Sequence, residues 1–367
     1  MKKLFFIAAI AGAALVSCTK NELAPSVTEQ QVISFDTPVI GAATKVDLLS
    51  TYPTETHFGV FGLYYEGDWT GYDYGVSYMD NVEVARVAPA GTDTDGGWTA
   101  NGYYWPKNNA STLTFAAYSP YMATGVSHDE TGIHFTNYVV DNANVDLLFS
   151  DRAYSQKKSN QVVNNSVYYG VNITFNHALS AILFQAKAAV GLTGNSDKPN
   201  YKFVITKIEV LNADSKGTFN QNLTDDAYGP ITPGASTSDW NTSIPKDYVA
   251  YTGSGITVDS TTPISAFGTG TDNSGKADLI LLPQALNDVS VRVTYNLRHD
   301  GMPAGKYIEN NVVSANLSYD DADDSKDVTS WLRGKRYIYT LTLDLDKIYF
   351  APNMAGWTDV EVPASSL

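Results

Sequence analysis

The segment that decides the fold class is VSVRVTYNL, residues 289–297. Apolar side chains occupy every second position, from Val289 to Leu297, and polar side chains occupy the positions between them. Successive side chains of an extended chain point to opposite faces, so this segment has one apolar and one polar face. That period of two is typical of a β-strand with one buried face, and residues 337–345 repeat it.

The rest of the chain extends this pattern. We also predict strands over residues 58–65, 113–118, 145–149, 167–175, 201–211 and 279–282. Residues 177–190 are rich in alanine and would favour a helix by intrinsic propensity. We nevertheless predict mostly strand there, because the segment continues an alternating run and packing often overrides propensity. Many short strands separated by Gly, Asn, Asp, Ser and Thr predict an all-β protein built of β-sandwiches.

The length of 367 residues allows about two domains at roughly 150 residues each. The longest stretch of low hydrophobicity covers residues 220–255, so we place the boundary there, between domains 46–225 and 226–367. The equally loop-like residues 157–165 are an alternative boundary.

The composition excludes several classes of function. There are 24 Lys and Arg residues against 39 Asp and Glu, a net charge of −15. No basic stripe is present to neutralise phosphates, so nucleic acid is not an expected partner. A single cysteine excludes an intramolecular disulfide framework and a thiolate zinc site.

The N-terminus predicts export and lipidation. Lys2 and Lys3 precede an apolar run over residues 4–16, which matches a signal peptide and is too short to span a bilayer. The run ends in Leu-Val-Ser-Cys at residues 15–18, which resembles a bacterial lipobox. We therefore predict a signal peptide over residues 1–17, a lipid on Cys18 and an outer-membrane location. An ordinary secretory signal followed by an incidental cysteine is the alternative.

Signals for catalysis and metal binding are weak. The chain has no Gly-x-Ser-x-Gly, His-Glu-x-x-His or phosphate-loop motif. Among five scattered histidines, only His128 and His134 have a spacing that a metal site could use. The acidic clusters at residues 93–96 and 320–324 are candidate calcium loops or solvated turns, and neither has EF-hand spacing. We expect no enzymatic activity, no cofactor and no metal.

Several spaced motifs together resemble the Bacteroidetes fimbrillin family, the lipoprotein precursors of type V pilus subunits. After the lipobox these motifs are ISF at 33–35, FGVFG at 58–62, YYWP at 103–106, LTFAAYSP at 113–120, DLLF at 146–149, FNHALS at 175–180, LLPQ at 281–284, Trp331 through Gly334 to YIY at 337–339, and WT at 357–358. Together these motifs cover nearly the whole chain. The resemblance implies two tandem transthyretin-like β-sandwiches that assemble by strand addition.

The resemblance also implies a removable first strand. In this chain it would be residues 31–39, with Ile33, Phe35, Thr37 and Val39 pointing one way and Phe35 as the main plug. A trypsin-like or Arg/Lys-specific protease would cut after Lys45, where the family usually has arginine, and residues 18–45 would form a lipidated propeptide. Arg86 is the second candidate cleavage site.

A donor strand is expected within residues 347–367, carried by Trp357, Val360 and Val362. Pro352 and Gly356 are expected to interrupt pairing before it. The alternative is that residues 357–362 close the chain's own C-terminal sandwich.

The resemblance thus implies a fimbrial subunit at the cell surface that polymerises with other fimbrial subunits and contributes to adhesion. A surface glycan-binding lipoprotein is the alternative, because the aromatic side chains in WTGYDY, residues 69–74, could stack on sugar rings.

Overall fold

A computed structural model describes most of the chain. The described residues are 31–36, 38–40, 52–53, 55–69, 74–87, 97–141, 145–158, 170–194, 196–197, 199–221, 240–264, 279–320, 327–345 and 348–356. None of them lies in an α-helix. Accordingly, the described part of the chain contains no helix with the length and hydropathy of a membrane span.

The strands number twenty-one in these ranges. They are β1 Val32–Phe35, β2 Val39–Ile40, β3 Phe58–Tyr65, β4 Val76–Val87, β5 Gly97–Tyr104, β6 Thr112–Ser119, β7 Val126–Asp129, β8 Gly132–Val139, β9 Leu148–Ser150, β10 Ala153–Gln156, β11 Thr174–His177, β12 Ser180–Ala188, β13 Tyr201–Asn220, β14 Trp240–Val258, β15 Leu279–Leu281, β16 Gln284–Ala285, β17 Ser290–His299, β18 Ile308–Asn316, β19 Ser330–Trp331, β20 Lys335–Leu343 and β21 Ile348–Gly356.

The strands form three larger sheets and one small one. The N-terminal sheet has the order β1-β5-β4-β3-β6-β9-β11-β2, with β10 paired to β6. The long-hairpin sheet has the order β18-β17-β13-β8-β7, with β14 on the other side of β13, and the C-terminal sheet has the order β15-β12-β20-β21. Strands β16 and β19 pair separately.

The predicted all-β class is confirmed, and the deciding segment behaves as its alternation indicates. It forms β17, in which Val291, Val293, Tyr295 and Leu297 are buried. The alanine-rich stretch also forms a strand, β12, with seven of its nine residues buried. Packing on both faces, and not helix propensity, therefore decides the structure of that segment.

Buried side chains form two clusters. The first cluster contains Ile33, Phe35, Phe58, Phe115 and Phe175, among others, and lies wholly within the N-terminal sheet and its loops. The second cluster fills the space between the long-hairpin and C-terminal sheets. Strand β6 separates the two: all eight of its residues are buried. Its residues 113, 115 and 117 belong to the first cluster, and residues 116 and 118 to the second.

The position of the predicted domain boundary, between residues 225 and 226, falls between β13 and β14. These strands pair with each other from Phe203 opposite Val258 to Phe219 opposite Trp240. A division there would cut a β-hairpin. The chain passes between the two clusters more than once, since Ile133 and Phe135 of β8 belong to the second cluster and the later Phe175 belongs to the first.

Candidate functional site

Strand β1 lies between two other segments and is hydrogen-bonded to both. On one side it pairs antiparallel with β5, with Ser34 opposite Thr99 and Phe35 opposite Trp98. On the other side the Val171 amide donates to the Ser34 carbonyl at 2.9 Å, and the Asp36 amide donates to the Val171 carbonyl at 3.1 Å. We call the channel between β5 and residues 171–173 the β1 groove. Removing β1 would expose the edge of β5 on one side and the Val171 amide and carbonyl on the other.

The floor of the β1 groove is aromatic. Ile33 and Phe35 are 0% and 1% exposed. The Phe35 ring meets the rings of Phe58 and Phe115 edge-on, with centroids 5.7 and 5.3 Å away. Such edge-to-face contacts add to the gain from burying apolar area. The Phe35 side chain therefore fills an aromatic pocket lined by Phe58 and Phe115.

Gly170 allows the main chain of β1 to pass at very close range. A Cβ atom at residue 170 would lie 2.0 Å from both the Asp36 nitrogen and the Phe35 carbonyl carbon. Backbone atoms cannot move aside as the end of a flexible side chain can. Any strand that follows the path of β1 needs the same open space at residue 170.

Beyond β1 the chain changes partner. Strand β2 pairs parallel with β11, with Val39 opposite Thr174 and Ile40 opposite Phe175. Val39 is 60% exposed and Ile40 is 4% exposed. The prediction that Val39 shares the buried face of Ile33 and Phe35 is therefore wrong. The switch from β5 to β11 across Pro38 shifts the alternation by one residue, and Thr37 lies outside the described residues.

The candidate processing and lipidation residues, Cys18 and Lys45, lie outside the described residues. The second cleavage candidate, Arg86, lies inside β4, where it is paired opposite Trp98 of β5. A protease must draw several residues into an extended, unpaired conformation, so this sheet position protects Arg86 from cleavage.

At the C-terminus, β21 pairs with β20 without interruption, from Ile348 opposite Leu343 to Gly356 opposite Lys335. The prediction that Pro352 and Gly356 interrupt pairing is wrong. Strand β21 is at the edge of its sheet, where the missing N–H of proline can face away from the neighbouring strand. The donor-strand candidates Trp357, Val360 and Val362 follow this edge and lie outside the described residues.

The two spaced histidines have structural partners. The ring of His128 stacks between Phe61 and Tyr74, with centroids 5.4 and 5.6 Å away. Its Nδ1 is 2.7 Å from the Tyr74 hydroxyl and its Nε2 is 3.3 Å from Nη2 of Arg152. Burial, reinforced by the Arg152 charge, lowers the pKa of His128 to about 3, so the ring is neutral.

His134 contacts Asp129 at 2.9 Å through Nε2. No group of three or more His, Cys, Asp or Glu side chains within the described ranges is arranged to hold a metal ion. Of the two candidate calcium loops, residues 93–96 are outside these ranges, and of residues 320–324 only Asp320 is described.

The aromatic segment proposed for glycan binding is partly described. Trp69 is half-buried and stacks on Tyr154, with ring centroids 4.3 Å apart. One face of the indole is thus covered by the chain's own tyrosine. Residues 70–73 lie outside the described residues.

Little in the sequence singles out Gly170 or the backbone contact at Val171. Residues 167–175 alternate and predict a strand, but alternation does not state which strand lies alongside. A glycine at the start of such a segment is the only hint of a close backbone approach.

Comparisons with known proteins identify a matching family and solved structures of similar fold. A family model described as "Fimbrillin-like" matches residues 44–357. A Bacteroides vulgatus fimbrial protein of known structure is 17% identical and matches with a TM-score of 0.51, covering 89% of this chain and 100% of its own. A Bacteroides uniformis protein, named a "putative cell adhesion protein", is 16% identical with a TM-score of 0.51, covering 90% of this chain and 99% of its own. At such identities the two structures show a shared fold alone. No curated protein matches the chain.

Proposed function

The chain belongs to the fimbrillin-like family, and we propose on that basis that it is a structural, non-enzymatic subunit of a surface fimbrium that contributes to adhesion. The subunit is assembled by proteolytic removal of its first strand and insertion of a strand from a neighbouring subunit. Its partners are other fimbrial subunits, in a homopolymer or a heteropolymer. The β1 groove is the observation that carries this proposal.

Loss of β1 would turn the β1 groove into an acceptor site for a strand from a neighbouring subunit. The edge of β5 and the Val171 backbone would each present unpaired N–H and C=O groups, and the aromatic pocket around Phe35 would be empty. An incoming strand can satisfy both edges with main-chain hydrogen bonds and place an apolar side chain in the pocket. The double edge supports strand exchange because a strand bonded on only one side would gain fewer hydrogen bonds.

The precursor carries a signal peptide at residues 1–17 and a lipid on Cys18 that holds it in the outer membrane. Cleavage after Lys45 releases residues 18–45, which include both the lipid and β1. A single cut after Lys45 therefore both releases the chain from the membrane and opens the β1 groove. Replacing Cys18 by Ala should abolish lipid labelling, and normal labelling of that variant would exclude this anchor.

The donor is the segment after β21. Val360 and Val362 have the same two-residue spacing as Ile33 and Phe35, so they could fill the two vacated positions on one face of a strand. Trp357 offers a larger side chain for an aromatic pocket. Strand β21 is already paired along its full length with β20, and this pairing does not require residues 357–367.

The test of this function compares two cleavage-site variants in the native host. Lys45→Ala should leave a lipid-anchored precursor that builds no filaments, while Arg86→Ala should be processed and polymerise normally because Arg86 is held in the sheet. Filaments that form from the Lys45→Ala variant with a new N-terminus elsewhere would show that the site is wrong. Filaments that retain residues 31–40 would contradict strand exchange itself.

A further inference from the structure

Strand β5 changes register beside β1. From Val32 to Ser34 the chain of β1 advances by two residues, whereas their partners on β5, Tyr104 and Thr99, are five residues apart. The pairing of β5 with β4 on its other side also ends at Thr99. Such an insertion is a β-bulge, in which the extra residues are left out of the strand ladder. We call residues 100–103 the β5 bulge.

The β5 bulge is fixed at both ends and exposed in the middle. Ala100 is buried in the first cluster. Trp105, which follows the bulge, is also buried in that cluster, and its amide donates to the Gln31 carbonyl at 3.0 Å. Asn101 and Gly102 are exposed between them. Water therefore reaches these two residues while the fold holds the chain on either side.

Asn101 and Gly102 form the only Asn-Gly pair in the 367 residues. The backbone nitrogen that follows an asparagine can attack the side-chain carbonyl carbon of that asparagine and close a five-membered ring. A side chain on the following residue hinders this approach, and glycine has none. Gly102 has a positive φ of 86°, and a Cβ atom placed there would meet nothing within 4 Å. The space around its backbone is therefore open.

We propose that Asn101 is a site of spontaneous deamidation in the folded chain, with water as the only other reactant. The Gly102 nitrogen loses its proton and bonds to Cγ of Asn101. The bond from Cγ to the side-chain nitrogen then breaks, and ammonia leaves with that proton. Water opens the resulting succinimide ring at either carbonyl, which gives aspartate or iso-aspartate. The sequence of steps is neither an oxidation nor a reduction.

The β5 bulge supplies what a regular strand would withhold. In a regular ladder the glycine N–H is hydrogen-bonded to a neighbouring strand, and the bond must break before the nitrogen can react. Neither Asn101 nor Gly102 has a partner in the register of β5 with β1 or with β4. The pair can therefore react without opening the sheet.

The product alters one wall of the β1 groove. Either form adds one negative charge to β5, and the iso-aspartyl form also adds a methylene group to the main chain inside the bulge. The inference does not rest on the proposed function, because β5 and its bulge belong to the chain whether or not β1 is removed.

The test follows the mass of one tryptic peptide. The purified full chain is incubated at mildly alkaline pH, folded in one sample and unfolded by urea in another, and both are then digested. Peptide 87–107 contains Asn101 as its only side-chain amide. A gain of about 1 Da in this peptide therefore reports conversion at residue 101.

Two rates are expected from the folded sample. Asn101 should convert at least about ten-fold faster than Asn109, an exposed asparagine followed by alanine, which fragment ions of peptide 108–152 report. Conversion that required global unfolding would be slower than in urea by a factor of about 10³ or more, because so few chains are unfolded. The bulge instead predicts a folded rate of at least about one hundredth of the urea rate.

The matched variant is Asn101→Gln, which keeps an exposed amide but would have to close a larger ring, so peptide 87–107 should keep its mass. The proposal is overturned if the folded rate falls below one hundredth of the urea rate, since the strand then protects the pair. It is also overturned if Asn109 converts as fast as Asn101, or if the glutamine variant gains mass equally.

Discussion

Phe35 is the single side chain on which closure of the β1 groove most depends. It is 1% exposed and packs edge-on against two phenylalanines. We expect Phe35→Ala to lower the free energy of unfolding of the precursor by about 3–5 kcal/mol, measured by urea titration. Val39→Ala is the control: that side chain is 60% exposed, and its loss should change stability by less than about 0.5 kcal/mol. Equal effects of the two would show that Phe35 does not fill a pocket.

His128 should make stability depend on pH. Its pKa is lowered to about 3 by burial, so the folded chain keeps it neutral while the unfolded chain binds a proton below about 6.5. The unfolded state then holds more protons, and stability falls with decreasing pH by up to about 1.4 kcal/mol per pH unit between these values.

The measurement is the urea midpoint of the native chain and of His128→Phe over about pH 5 to 7. This window avoids Asp129, whose pKa is lowered to about 2 and whose contribution is lost only in stronger acid. The phenylalanine variant should lose the His128 share of the slope, because its ring has no titratable group. The fold should be retained, because the ring can still stack on Phe61. Identical slopes in the two proteins would contradict a half-buried histidine that stays neutral in the folded chain.

At the scale of the elements, alternation predicted part of the strands and, in β17 and β20, which side chains are buried. Strands such as β4, β8 and β14 were not predicted, and the predicted β3 and β6 are buried on both faces instead of one. In β17 the buried residues are the alternating ones, and β20 behaves in the same way. Alternation could not predict partners, because hydrogen-bonded neighbours are set by tertiary contacts. For this reason the prediction from sequence placed Val39 on the buried face, did not identify Gly170 and expected Pro352 to interrupt strand pairing.

The tail after β21 is the element whose role is easiest to separate from folding. Deleting residues 357–367 leaves β21 and its nine pairs with β20 in place. We therefore expect a folded monomer with a melting temperature close to that of the full chain. After trimming at Lys45 it should not polymerise.

The readouts for this deletion are circular dichroism, thermal unfolding and electron microscopy of the trimmed protein, with the trimmed full chain as the control. An aggregated deletion product would show that the tail belongs to the chain's own sandwich. Normal filaments from the deletion product would place the donor strand elsewhere.

At the scale of the whole molecule, the two buried clusters meet at β6. This strand is buried on both faces, with Phe115 against Phe35 on one side and Tyr118 against Phe135 on the other. A strand with two packed faces cannot shift without disturbing both clusters. Strand β6 therefore couples the packing of the two clusters.

The central claim is that β1 is present in the precursor and absent from the assembled subunit. The most direct measurement is the N-terminal sequence, by mass spectrometry, of the chain recovered from filaments sheared off the cell surface. The account predicts a chain that begins at Val46, with no lipid and no residues 31–40. A chain from filaments that still begins at a lipidated Cys18, or that retains Ile33 and Phe35, would contradict it.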